Sequence, residues 1–156
     1  MLYTTTGMIT STVRDLNNGV GSTMPFETVA APFIDAVRLE RALNARQLPG
    51  VRFQAIHYKP FYGRYANAPL QGVRLRVIDS QQFRPLFTAV AIVETLRELH
   101  PKQIKFLDDR TLGTHWGNTA LRKQLEQGLS AEAIAATWAE EHPVFAADRQ
   151  LALIYD

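Results

Sequence analysis

Val51-Arg52-Phe53-Gln54-Ala55-Ile56-His57-Tyr58 and Gly72-Val73-Arg74-Leu75-Arg76-Val77-Ile78-Asp79 decide the fold class. In the first, Val51, Phe53 and Ala55 share one side, while Arg52 and Gln54 share the other. In the second, Val73, Leu75 and Val77 face inward, with Arg74 and Arg76 outward. A period of two marks strands with one face in a core. Pro85 then sits well for the first turn of a helix reaching to about His100. Its apolar residues, Leu86, Phe87, Val90, Ala91, Val93 and Leu96, cover an arc wide enough to predict a largely buried helix lying on the sheet.

Working outward, Thr-rich and β-branched residues 2–12 suit a further strand. Residues 17–25 carry Asn, Gly, Ser and Pro and read as a loop. Asp35 can cap a helix over about 36–47 with Ala36, Leu39 and Leu43 on one face, stopped by Pro49-Gly50. Residues 103–107 read as a short strand and 119–127 as a helix. Ser130 can cap a helix carrying Ile134 and Trp138, Pro143 begins a last short helix, and Leu151 to Tyr155 suits a closing strand. Strands and helices alternate without a strict βαβ rhythm. The expected class is α+β, a mixed β-sheet covered by helices in one compact domain spanning 1–156.

Bulk properties narrow the functions. The chain has 156 residues, 46% hydrophobic and 21% charged, as in an ordinary globular protein. A net charge of +2 without any Lys/Arg run gives no footprint for nucleic acid. No apolar run reaches membrane-spanning length. There are no cysteines, which excludes disulfides, thiolate metal sites and a Cys nucleophile. The start has neither a basic n-region nor an apolar h-region, so no signal peptide is expected, and the compartment stays open.

Three segments carry candidate chemistry. In Asn17-Asn18-Gly19-Val20-Gly21, two amides suit sugar hydroxyls and two glycines allow positive φ beside a ligand, although Asn-Gly is also a common turn pair. Residues 59–71, between the two strands, are aromatic and basic. In the segment His57 to Tyr65, Tyr58, Phe61, Tyr62 and Tyr65 can stack on a pyranose or else anchor the loop to the core, while Lys59 and Arg64 can pair with a carboxylate. Arg52, Arg74 and Arg76 either extend that surface or form a solvated sheet face. His115-Trp116-Gly117-Asn118 is third. The four histidines, His57, His100, His115 and His142, have no metal-ligand spacing, and no cofactor is called for. Glycoside hydrolysis usually needs two carboxylates, and no pair announces itself. Glu27, Asp79 and Asp108-Asp109 lie near loops, and the remaining glutamates lie on predicted helices.

The ordered motifs carry a resemblance. Asn18-Gly19-Val20-Gly21 with Pro25-Phe26-Glu27, then Ala31-Pro32-Phe33-Ile34-Asp35, Leu48-Pro49-Gly50-Val51-Arg52-Phe53 and Tyr58-Lys59-Pro60-Phe61-Tyr62-Gly63-Arg64-Tyr65, resemble the C-terminal half of the exo-β-N-acetylmuramidase family. This is a bacterial glycoside hydrolase family long described as of unknown function. The likeness continues through Gln71-Gly72-Val73, Phe83-Arg84-Pro85, Trp116-Gly117-Asn118 and Ala120-Leu121-Arg122. It departs at Val20 and Met24, where many members have arginine, and at Leu70, where they have cysteine.

The resemblance implies a two-part protein. A Rossmann-like N-terminal half would carry the catalytic glutamate, and the C-terminal half would close a cleft over muramic-acid-containing peptidoglycan fragments. On that reading this chain lacks the catalytic half, so no catalytic residue is assigned. The substrate-binding candidates are Asn17, Asn18, Glu27, His57, Lys59, Tyr62, Arg64 and Asn118. The alternatives are a stand-alone carbohydrate-binding module and a structural domain assembling with a separate catalytic chain. The parent would be a bacterial protein, exported or cytoplasmic.

Overall fold

The computed structural model describes residues 1–117, 119–138 and 142–154, with the backbone alone at 142–144. Its elements are α1 (Leu2–Thr10), β1 (Thr28–Ala31), α2 (Ala36–Ala45), β2 (Val51–Tyr58), β3 (Leu70–Val77), α3 (Pro85–Leu99), α4 (Asp109–Trp116), α5 (Ala120–Glu126), α6 (Ala131–Trp138) and α7 (His142–Ala152). The strands form one sheet in the order β1-β3-β2. The α+β class is as expected. The sheet is antiparallel at both pairings, so its mixed character is corrected. The reason is local: β2 returns directly as β3 through the 59–69 loop, and the helical crossover that a parallel pair needs is absent between them.

Register confirms the two sides of the strands. Val51 faces Val77, Phe53 faces Leu75, and Ala55 faces Val73 across the β2–β3 ladder. Val51, Phe53, Val73 and Leu75 join a core with Leu39 and Leu43 of α2 and Val90, Val93 and Leu96 of α3. α2 starts where Asp35 Oδ1 accepts from the Arg38 N–H at 3.0 Å. α3 is buried on most of its circumference, as its apolar arc predicts, although Leu86 in its first turn stays 40% exposed. Ser130 caps α6 by accepting from the Ala133 N–H at 3.1 Å.

Both sheet edges are blunted. At β1, Asn17 and Ala30 exchange backbone hydrogen bonds of 2.8 and 2.9 Å. At β2, the Asn44 side chain acts as a short false strand: its amide donates to the Phe53 carbonyl at 2.9 Å and accepts the Phe53 N–H at 3.0 Å.

Four expectations change. Residues 2–12 do not form a strand: Leu2–Thr10 is a helix. Its Thr and Ser hydroxyls donate back to carbonyls one turn earlier, Thr6 to Leu2, Thr10 to Thr6, Ser11 to Gly7 and Thr12 to Met8. Thr5, Thr6 and Ile9 are buried, so packing overrides the β propensity. Residues 103–107 supply one isolated bridge, Phe106 to Val13, in place of a strand. α4 was not expected, though Asp108 caps it through the Thr111 N–H at 3.0 Å and Gly117 ends it at φ 75°. Leu151, assigned to a closing strand, lies in α7, while Tyr155 is outside the described residues. Among the described residues no helix is long and apolar enough to cross a membrane.

Candidate functional site

Two sequence motifs far apart in the chain meet. Asn17 is 5% exposed, and its side chain is fully engaged. Oδ1 accepts from the Tyr58 hydroxyl and from the Gly19 N–H, each at 2.7 Å. Nδ2 donates to the Val20 carbonyl at 3.1 Å and the Arg64 carbonyl at 3.4 Å. Tyr58 spends its proton on Asn17, so the Thr28 hydroxyl donates to the phenol oxygen at 3.0 Å. Burial raises the Tyr58 pKa, and the hydrogen bond from Thr28 partly offsets that.

Gly21 makes the close approach possible. It has φ 87°, and a Cβ there would overlap the Tyr62 carbonyl and press on Pro60 Cβ at 3.0 Å. The Phe61 N–H donates to the Gly21 carbonyl at 2.6 Å. The 17–27 loop and the 59–68 loop are thus one unit, with Asn17 as its clamp.

The outer surface of this unit is aromatic and basic. Phe61 is 76% and Tyr62 65% exposed, and Lys59 is exposed beside them. Arg64 is paired with Asp15. The Tyr65 hydroxyl donates to the Asp15 carbonyl at 2.9 Å, and burial followed by the Asp15 charge raises its pKa. Clefts beside the unit carry further charge: one is lined by Asp15, Phe33, Tyr65, Lys102 and Lys105, and another by Arg14, Asp15 and Arg64.

The other candidates are spread out. Glu27 accepts from Arg74, at 2.7 Å from Nε and 2.6 Å from Nη2. His57 is exposed and bonds to Gln71 Oε1 at 3.1 Å from Nε2. It stands on the same side of β2 as Ala55, opposite Tyr58. Asn18 turns away from Asn17 into a cleft along α1 that His115 also lines. Asn118 lies outside the described residues. Arg52 and Arg76 are direct cross-strand partners, both exposed, on the sheet side away from the core.

Carboxylates near the unit are occupied, Asp15 by Arg64 and Glu27 by Arg74. Asp109 pairs with Arg122, and Asp108 is held below the usual carboxylate range by hydrogen bonds from the Thr111 N–H and hydroxyl. Among the described residues no group of three or more His, Asp or Glu side chains is placed to hold a metal ion.

Sequence reasoning missed α1 as a contributor to the surface. Its signal is the spacing of Tyr3, Gly7 and Thr10, which share one face of a helix but would be split between two faces of a strand.

Known proteins share the sequence pattern and the fold. The chain is 33% identical over 154 residues to the peptidoglycan β-N-acetylmuramidase NamZ of Bacillus subtilis strain 168, covering 99% of this chain and 37% of that protein. It superposes with a TM-score of 0.88 and 25% identity on the crystal structure of a DUF1343 family protein from Bacteroides fragilis NCTC 9343, covering 99% of this chain and 41% of that one. The chain thus spans well under half the length of both. Residues 1–155 match the family described as exo-β-N-acetylmuramidase NamZ, C-terminal, and the chain belongs to that family.

Proposed function

We propose that residues 1–156 form one domain that builds part of the substrate cleft of a muramidase-like glycoside hydrolase acting on peptidoglycan fragments. On this reading the hydrolytic carboxylate is supplied by a Rossmann-like half outside these residues. The observation that carries the proposal is the clamped pair of loops. It presents Phe61 and Tyr62 to solvent next to Lys59 and Arg64, a surface suited to a sugar ring bearing a carboxylate. The lactyl carboxylate of N-acetylmuramic acid has that chemistry. The exposed Arg64–Asp15 pair is weak enough for a ligand carboxylate to exchange into, whereas Glu27 is held in a half-buried ion pair with Arg74, which argues against acid–base work by Glu27. One core joins Ile9 near the start to Ile134 in α6, in keeping with a single folding unit.

The test is a turnover assay with the pure chain and a chromogenic N-acetylmuramic acid glycoside. No release is expected. Release that survives repurification would overturn the division of labour. The same surface also serves the reading as a stand-alone carbohydrate-binding module, because exposed aromatics bind sugars without any hydrolytic partner. Co-purification of the chain with a Rossmann-like protein separates the two.

A further inference from the structure

The outer side of the sheet carries two cations with no counter-ion. Arg52 of β2 and Arg76 of β3 stand opposite each other in the ladder, and both are exposed. Residues so placed have Cβ atoms about 4.5–5.5 Å apart, and like charges directly opposite destabilise a sheet. Nothing local offsets that repulsion. Among the described residues the Arg52 guanidinium makes one hydrogen bond, from Nη1 to the Val51 carbonyl at 3.1 Å, and the Arg76 side chain makes no hydrogen bond or ion pair. The carboxylates on either side are committed elsewhere. Glu27 is held by Arg74, at 2.7 Å from Nε and 2.6 Å from Nη2. Asp79 accepts from the Gln81 and Gln82 N–H groups at 2.9 and 3.2 Å and from the Gln82 side-chain amide at 2.7 Å.

We propose that Arg52 and Arg76 together bind a phosphate group, as the free anion or as a monoester. The pairing across two strands fixes the two guanidinium groups as neighbours, so an anion between them replaces repulsion by two attractions. Phosphate fits this arrangement better than a carboxylate does. One carboxylate has two oxygens, which a single guanidinium fork already satisfies. A phosphate ester has three free oxygens and a charge of about −1.5 to −2 at pH 7, so it accepts from both forks and matches their combined charge. Gln54 is exposed on the same side of β2, two residues from Arg52, and adds a neutral amide donor.

The site is separate from the clamped loops. Arg52 and Tyr58 lie six residues apart along β2, about 20 Å at the rise of a strand. The proposal therefore stands or falls independently of the sugar-binding reading.

The test is a titration of the full ¹⁵N-labelled chain at pH 7, with chloride exchanged stepwise for inorganic phosphate at constant ionic strength. The arginine Nε–H signals are read. Those of Arg52 and Arg76 should shift together and saturate with a Kd of about 1–10 mM, while acetate should act at least about tenfold more weakly. Arg52→Gln and Arg76→Gln should each weaken phosphate about fivefold or more. Their urea midpoints without phosphate should be no lower than the parent's, because loss of one charge relieves the repulsion. Arg52→Lys keeps the charge without the fork and should fall between Arg52→Gln and the parent. Further arms separate the sources of the group. Tighter binding of glycerol 3-phosphate than of inorganic phosphate assigns the site to a soluble ester. Sedimentation with phosphatidylcholine vesicles containing phosphatidic acid, lost when both arginines are replaced by glutamine, assigns it to a lipid headgroup. Shifts of equal size with acetate, no saturation by about 50 mM phosphate, or unchanged affinity in both glutamine variants would overturn the proposal and leave the pair as a solvated sheet face.

Discussion

Asn17→Ala is the perturbation that most directly probes how the loop unit is held. The side chain is buried and makes four hydrogen bonds, two of them at 2.7 Å. Truncation leaves the Gly19 N–H buried without its acceptor and costs Tyr58 its Asn17 partner, although Thr28 still bonds to the phenol. A buried group left unpaired costs about 1–3 kcal/mol, and the weaker donations to Val20 and Arg64 contribute about 1 kcal/mol more between them. The expected loss is about 2–4 kcal/mol, a large share of the 5–15 kcal/mol that holds a typical domain together. With a urea slope of about 1–3 kcal/mol/M, the midpoint should fall by about 1–2 M. Asn18→Ala is the control. No side-chain hydrogen bond of Asn18 is present among the described residues, so the stability of Asn18→Ala should stay within about 0.5 kcal/mol of the parent. A loss below about 1 kcal/mol for Asn17→Ala, or an equal loss for Asn18→Ala, would refute the clamp.

Other outcomes follow from the same geometry. Tyr62→Ala should weaken binding of muramic-acid-containing sugars without changing the urea midpoint, because the ring is 65% exposed. Arg64→Ala should do the same and lose at most about 1 kcal/mol, the value of an exposed ion pair. Equal destabilisation in both variants would show that the two side chains anchor the loop to the core. Glu94 accepts from Arg46 at 2.7 Å and from the Ala131 N–H at 2.9 Å, joining α2, α3 and the start of α6. Glu94→Ala should therefore cost about 1–3 kcal/mol by denaturant unfolding, between the values for exposed and buried pairs. His100 is 9% exposed with Nε2 unpaired, and its pKa lies below the ordinary 6.5, through burial first and the Arg38 charge second, against Asp35. The unfolded chain therefore binds the proton more readily. Stability should be full above about pH 6.5 and fall as the pH drops through that value toward the lower folded pKa. Urea midpoints at pH 7.5 and 5.5 read this, and His100→Gln should flatten part of the difference.

How much could be read from the chain varies with the kind of signal. The alternation in β2 and β3, the Asp35 cap and the wide apolar arc of α3 are local patterns reinforced by packing, and they lead to the observed core. α1 reads as a strand because the β propensity of its threonines outweighs the weaker helical spacing of Tyr3, Gly7 and Thr10, while the threonine hydroxyls are satisfied by their own helix and Ile9 is drawn into the core. β1 is four residues long and is held by partners distant in sequence, β3 and Asn17. The site shows the same limit. Asn17 and Asn18 are identical neighbours, yet one is a buried clamp and the other lines an open cleft. Only the fold, through the approach of Gly21 to Tyr62, separates their roles.

The most direct measurement of the central claim is titration of the ¹⁵N-labelled chain with N-acetylmuramic acid, reading the amides of residues 59–65. Saturable shifts at Phe61, Tyr62 and Arg64 at millimolar sugar, lost in Arg64→Ala, are predicted. Absence of any saturable shift in that loop at millimolar sugar would contradict the assignment of the clamped loops as a substrate-binding surface.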